Sequence, residues 1–398
     1  GLGKTVFDHV RASIRHLIEN VGTGEQGLIR LSDGDWSDGV VIQNVLDNPL
    51  SYSYSRTVRY GESIPNTQMA LYVLPRFADL IEERAPQLAQ QLRAWTEPLR
   101  SAVQKYWNGR FYARAILRTR TNQPAVIGDN EIDLESQPWA LVSDLAAKQG
   151  TEAHLIDSID RVLDSPSPIG APLTQRGMVW PAISQLLTWG YTRTRPELAW
   201  RSLWRHSFFL NAWTFPDIWF GIWSGPDGIN GINNKQPGYT WSSPVTPVTD
   251  FPVMNNNQHC MMLLGLLRVC GIEPAAGGDG LKITPKIPHR YKLDLPMLAL
   301  DVAPGRIAGE YRAFVDGERT LYIAVPDGAQ DIKTQVDESA LDALPEGGYV
   351  PVSLQFTAGQ RVRFEVTWQG GAAVRWRQRV LVGGGNASVD MDGEERSQ

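Results

Sequence analysis

Along the first two-thirds of the chain, apolar residues recur every three to four positions. Phe7, Val10, Ile14, Leu17 and Ile18 form one face that stops near Gly22, and this spacing predicts an amphipathic helix. A second helix is expected from about Asn66 to Arg84. Pro86 can start a third that runs to about Tyr106, because proline suits a first helical turn. Further helical patterns cover about 135–148, 151–163, 179–191, 196–210 and 257–270. Some are separated by loops of roughly 20 residues or more, and loops of that length in a compact domain are usually functional.

From about Leu281 the rhythm changes to period two. "RIAGEYRAF", "TLYIAV" and "RVRFEVTW" alternate apolar and polar residues between Pro and Gly turns, which predicts an antiparallel β-sandwich of roughly 90 residues. The expected organisation is a helical domain over 1–278, a β-sandwich over 279–369 and a flexible tail over 370–398. The tail's "GGG" and "MDGEERSQ" have the composition of disorder. "NAS" at Asn386 fits a glycosylation acceptor, but in such a tail the match is read as chance.

A chain of 398 residues can bury a large core. Its net charge is −5 with no long Lys/Arg run, so neither nucleic acid nor an anionic membrane has an electrostatic footprint here. No apolar stretch reaches the ~18 residues of a membrane span. "GLGKTVFDHVRASIRHL" lacks the continuous apolar segment of a signal peptide. The absence of an initial Met leaves room for a presequence or a longer N-terminal region. Cys260 and Cys270, on one predicted helix, would be separated by ~15 Å of rise, so two free thiols are expected rather than a disulfide. The six His show no HxH or HExxH spacing, and no metal or cofactor is expected. The unusual count is 14 Trp; flat aromatic faces stack on sugar rings, although Trp is also a common core residue.

"LSDGDWSDGV", Leu31 to Val40, sets three aspartates around one tryptophan. Calcium fits poorly. Counting from Asp33, Asp35 and Ser37 match an EF-hand-like loop, but the sixth position is Asp38 instead of Gly and the twelfth is Asn44 instead of Glu. A plain Asp-Gly turn is the simpler alternative. The combination points further, because an Asp against an aromatic face and near a second carboxylate tends to keep its proton. A protonated carboxyl beside a sugar-binding aromatic is the general acid of glycoside cleavage.

"DWSDG" resembles the "DWNDG" signature of glycoside hydrolase family 94, the inverting cellobiose and chitobiose phosphorylases. Three further stretches follow in the family's order: "YGESIPNTQMAL" (60–71), "GDNEIDLESQPWALVS" (128–143) and "GGDGLKITPKIP" (277–288). The resemblance covers about residues 5 to 320. It implies a mainly α fold, an (α/α)6 barrel followed by a small antiparallel β-sandwich, acting on an oligosaccharide or glycoside. It also implies that the chain starts partway into the barrel, so that a missing N-terminal segment or a second subunit would complete it. By position, Asp38 takes the place of the general acid, with Asp35 and Trp36 shaping its site. Glu62, Asp133, Gln137 and Trp139 fall in stretches near the sugar or supporting the site. For Asp133 and Glu135 a solvated face or a structural ion pair is the alternative.

The pattern departs from the family at the phosphate pocket. "RGMVWPAIS" (176–184) puts Pro181 where the family has His, and "PGYTWSSPVTPVTDFPVMNNNQH" lacks the family's Thr-Gly pair. Arg176 or His259 are the remaining candidates, since phosphate needs charge-assisted donors in fixed positions. If water is the nucleophile instead, an inverting enzyme needs a carboxylate base ~6.5–9.5 Å from the acid. Asp217, Asp227 and Asp250 are the candidates. The same loops carry Trp213, Trp219, Trp223, Tyr239 and Trp241 among Gly, Pro, Asn and Asp, which reads as a sugar-binding wall. The expectation is therefore inverting hydrolysis of a glycosidic bond. The alternatives are a true phosphorylase and a non-catalytic carbohydrate-binding protein. A phosphorylase would be expected in the cytoplasm, whereas a hydrolase fits the periplasm as well, so the compartment stays open.

Overall fold

The computed structural model describes residues 3–32, 34–35, 39–207, 227–243, 256–278, 280–372, 374–376, 378–382 and 387–391. The chain forms two compact units. The first comprises Gly1–Ser167, Ala171–Ile183 and Gly228–Phe251; the second comprises Pro168–Gly170, Ser184–Asp227 and Pro252–Gln398.

In the first unit, α1 (Val6–His16) opens on a capping box. The Asp8 backbone N–H donates to Thr5 Oγ1 (3.2 Å) and the Thr5 N–H donates to Asp8 Oδ2 (2.9 Å), which satisfies two N-terminal donors reciprocally. The helix continues as a π-helical turn over Leu17–Val21 and stops at Gly22, whose φ of 61° a side chain would resist. Short helices α2 (Asn44–Asp47) and α3 (Tyr54–Tyr60) follow, then α4 (Ile64–Ile81) and α5 (Pro86–Gln104), which pack together. Leu71, Leu74, Ala78 and Ile81 of α4 and Leu92, Leu99 and Val103 of α5 are buried. Each of the Leu, Ile and Val side chains contributes about 1.5–3 kcal/mol relative to exposure. Further along come α6 (Gln137–Val142), α7 (Leu145–Gln149), α8 (Glu152–Ile159) and α9 (Pro181–Tyr191), the last crossing into the second unit.

Among these helices lies a four-stranded sheet absent from the helix-and-loop expectation. Its order is β1 (Ile29–Arg30), β2 (Glu62–Ser63), β3 (Ala115–Arg118) and β4 (Pro124–Ile127), all neighbours antiparallel. Two strands have only two residues, and every residue of β3 is buried. A strand buried on both faces has no alternation to read.

The second unit holds α10 (Pro196–Arg205) and α11 (Asn256–Val269) together with the remaining strands. These strands are β5 (Ile272–Pro274), β6 (Gly280–Ile283), β7 (Tyr291–Asp294), β8 (Leu298–Ala303), β9 (Arg306–Arg312), β10 (Gly317–Ala324), β11 (Ala329–Val336), β12 (Ser339–Leu341), β13 (Tyr349–Phe356) and β14 (Arg361–Gly370). They make two sheets, ordered β13-β10-β6-β5 and β12-β11-β14-β9-β8-β7. Leu321, Ile323, Val350, Val352 and Leu354 of the first share one hydrophobic core with Leu300, Ile307, Val362, Phe364 and Val366 of the second. The pairing is antiparallel except that β6 runs parallel to β10. The segment expected to be a flexible tail contains a further pairing, β15 (Gln378–Val382) with β16 (Ala387–Met391). Its apolar "VLV" and alternating "ASVDM" fit strands, a signal outweighed by the polar composition of the residues beyond. Cys260 is exposed and Cys270 buried, both as free thiols. Among the described residues no helix is long and apolar enough to cross a membrane.

Candidate active site

Trp36, Asp38, Asp217, Trp219, Trp223 and Asp250, together with Trp213, lie outside the described residues. Of the candidate residues that are described, Asp35, Glu62, Asp133, Gln137, Trp139 and Trp241 belong to the first unit.

Register brings the first partners together. β2 pairs with β3 so that Ser63 faces Ala115, which puts Arg114 beside Ser63. The Ser63 hydroxyl donates to Asp35 Oδ2 (2.7 Å) and also caps α4 by accepting from the Asn66 N–H (3.2 Å). Arg114 Nη1 donates to the same Asp35 oxygen (3.2 Å), and Nη2 donates to Oδ1. Arg114 Nε donates to Glu135 Oε2 (2.7 Å), with Asp133 Oδ1 3.9 Å away. One guanidinium thus meets three carboxylates. The side chains of Arg114 and Asp35 are each only 1% exposed and that of Glu135 4%, whereas Asp133 keeps 21%.

The turn that carries Asp133 and Glu135 is braced by Gln137. Its amide takes a hydrogen bond from the Tyr112 N–H (3.0 Å) and returns one to the Tyr112 carbonyl (2.9 Å), while also donating to the Asp133 carbonyl (2.7 Å). Asp133 accepts from the Glu135 N–H (3.0 Å) and caps the turn. Gly128 closes the other side. At its φ of +75° any side chain is strained, and a Cβ there would stand 2.9 Å from the Arg114 backbone nitrogen. Trp139 is 8% exposed and packs on Tyr72 with ring centroids 6.1 Å apart.

Glu62 stands in a different setting. Its carboxylate accepts from the N–H groups of Gln26 (3.0 Å) and Leu28 (3.0 Å), fastening the turn that precedes β1. Burial raises its pKa and those two donors oppose the rise. Among the loop residues, Trp241 lies against Gly228, and the backbone of Ile229 pairs with Val179 and Thr240. Asp227 is half-buried at the start of that loop, and Arg176 is exposed. Among the described residues no group of three or more His, Cys, Asp or Glu is arranged to hold a metal ion.

Sequence reading overlooked Arg114. The available signal was a single basic residue inside "FYARAIL", since an arginine in an otherwise apolar run must be paired if it is buried.

The electrostatics follow from the count of charges. Burial pushes the Glu135 carboxyl up to about 8; Arg114 opposes this, and Asp133 and Asp35 reinforce it. Burial also raises Asp133. One guanidinium cannot balance three carboxylates, and Glu135, where burial outweighs the pull of Arg114, keeps its proton. The ordinary Glu value is 4.5. Between about 4.5 and about 8 the folded state holds a proton that the unfolded chain releases. Stability is therefore greatest at the acid end of this window and declines as pH rises through it, by at most ~1.4 kcal/mol per pH unit for one proton. Glu135→Gln preserves the acceptor to Arg114 and cannot titrate. Its melting temperature should fall less steeply from pH 5.5 to 8 than that of the unmodified chain, and parallel curves would show that Glu135 is not the proton's holder.

Residues 2–184 match the family described as "Glycosyl hydrolase 94 superfamily, catalytic domain". A curated relative, 3-O-beta-D-glucopyranosyl-beta-D-glucuronide phosphorylase from Paenibacillus borealis, is 24% identical over 346 residues, which is 81% of this chain and 43% of that protein. The chain thus spans under half the length of that relative. Among solved structures, an alpha-L-rhamnosidase from Dictyoglumus thermophilum aligns with a TM-score of 0.41 and 11% identity, over 75% of this chain and 31% of its own. A GH127 beta-L-arabinofuranosidase from Geobacillus stearothermophilus T6 aligns with a TM-score of 0.27 and 10% identity, over 65% of this chain and 45% of its own. The matched residues contain DWSDG, the Gly-Glu-Ser stretch and the Arg114 cluster, and over them this chain is similar to the glycosyl hydrolase 94 catalytic domain.

Proposed function

We propose that this chain carries the catalytic machinery of an enzyme that cleaves a glycosidic bond of an oligosaccharide or glycoside with inversion, water being the nucleophile. The observation that carries the reading is that the family match includes DWSDG, whose Asp35 is locked in a buried carboxylate–guanidinium cluster. Such a cluster is the kind of support a catalytic constellation needs. Asp38 is the general acid, one of Asp217, Asp227 and Asp250 is the base, and aromatic residues of the 213–241 loops form the sugar wall. The helical domain over 1–278 belongs to an (α/α)6 barrel, and the strands over 279–369 form its companion β-sandwich.

Hydrolysis is preferred because Pro181 brings no side-chain donor to the place where a phosphate ligand would be needed, and Arg176 is exposed. Phosphorolysis is the second reading, favoured by the name of the Paenibacillus borealis relative. The two separate in one assay. The protein is incubated with β-linked glucosides, including the disaccharide in that relative's name, with and without phosphate. Free sugar of inverted initial configuration should form in both cases. A sugar 1-phosphate formed only when phosphate is present would overturn hydrolysis. Binding without any cleavage would leave the carbohydrate-binding reading in place of the enzyme.

A further inference from the structure

The first motif aspartate is held more firmly than an ordinary turn requires. Arg114 Nη1 and Nη2 fork onto the two oxygens of Asp35, which fixes both the position and the plane of the carboxylate. Ser63 donates to the same group. The adjacent backbone is tied as well: the Leu31 N–H donates to the Gly61 carbonyl (2.8 Å), and Asn66 Nδ2 donates to the Gly34 carbonyl (3.2 Å). Leu31, Gly34 and Asp35 are therefore fastened beside β2 and to the start of α4.

As a device for stability alone this cluster is a poor choice. Burying one guanidinium and three carboxylates costs desolvation that their attraction barely repays, and apolar replacements of similar volume are often as stable. What a forked, fully enclosed guanidinium supplies is geometry. Gln137, Asp133 and Gly128, which hold or clear the space around it, serve the same end.

We propose that Arg114 is a positioning residue of the active site, acting through Asp35, the first residue of DWSDG. The inference rests on the assignment of Asp38 as the acid. Asp38 lies three residues beyond Asp35, and three residues span at most about 10 Å, so anchoring Asp35 limits where Asp38 can stand. Arg114 touches neither substrate nor the reacting atoms in this scheme. Its part is to hold the carboxylate that anchors them.

Arg114→Lys tests the idea, because lysine keeps the charge but not the fork. Hydrogen–deuterium exchange across Leu31–Val40 should accelerate while peptides from β7 to β14 exchange as before. Turnover of an unactivated disaccharide should fall about 10²-fold, as an ångström of misplacement can cost, with KM little changed. An aryl glycoside, whose leaving group needs little protonation, should lose much less. Guanidinium ion added to Arg114→Ala should restore part of the lost turnover. Unchanged exchange over Leu31–Val40 in a folded, active variant overturns the proposal by itself. Equal losses on both substrates also overturn it, since a merely structural role predicts them. If the unmodified protein cleaves no glycoside with or without phosphate, the assignment of Asp38 fails and the proposal falls with it. Where neither Arg114 variant folds, Ser63→Ala should give the same exchange and substrate pattern at smaller size, and its failure to do so has the same consequence.

Discussion

Asp38→Asn is expected to slow cleavage of an unactivated oligosaccharide by at least about 10²–10⁴-fold, the usual contribution of general acid catalysis. The amide keeps the shape of the carboxyl but cannot deliver a proton to the departing oxygen. A sugar alkoxide is a poor leaving group, so without that proton the bond breaks slowly. An aryl glycoside leaves as a stabilised phenolate, and its cleavage should be far less affected. The split between the two substrates matters more than the size of either loss. A variant that merely distorts the site would slow both. Wild-type turnover of the unactivated substrate by Asp38→Asn places the acid elsewhere, and DWSDG then reverts to an ordinary turn.

Periodicity carried much of the fold and little of the site's geometry. The apolar spacing of Phe7 to Ile18 and the stop at Gly22 correspond to α1 and its π-helical turn. Pro86 does open α5, and the change of rhythm near Leu281 coincides with the start of the sandwich strands. The small sheet was illegible because Ala115–Arg118 is buried throughout and β1 and β2 of the same sheet are two residues long. The Arg114 cluster was illegible for another reason. Asp35 and Arg114 stand 79 positions apart, and no local pattern announces a pairing made by sheet register. The Ile-Asp-x-x-x-Gln-x-Trp stretch was placed near the sugar or in support of the site. In the structure Gln137 holds the Tyr112 backbone and Asp133 caps a turn beside Arg114. The ion-pair alternative kept open for Asp133 and Glu135 matches the contacts they make.

The base should show itself by a pattern opposite to that of the acid. Water attacking the anomeric carbon must lose a proton whichever group departs, so removing the base slows activated and unactivated substrates alike. Of Asp217→Ala, Asp227→Ala and Asp250→Ala, one is expected to lose about 10²–10⁴-fold on both, and the other two much less. A truncated base also opens space on the far face of the sugar, where inverting enzymes keep their two carboxyls ~6.5–9.5 Å apart to admit water. Azide needs no deprotonation and can occupy that space. Its addition to the affected variant should restore turnover and give a glycosyl azide of inverted configuration. It should do nothing for Asp38→Asn with an unactivated substrate, because there the missing proton belongs to the leaving group. If all three variants stay active and cleavage depends on phosphate, no carboxylate base is needed. Phosphate arrives already anionic and attacks directly, and in that case the reaction is phosphorolysis.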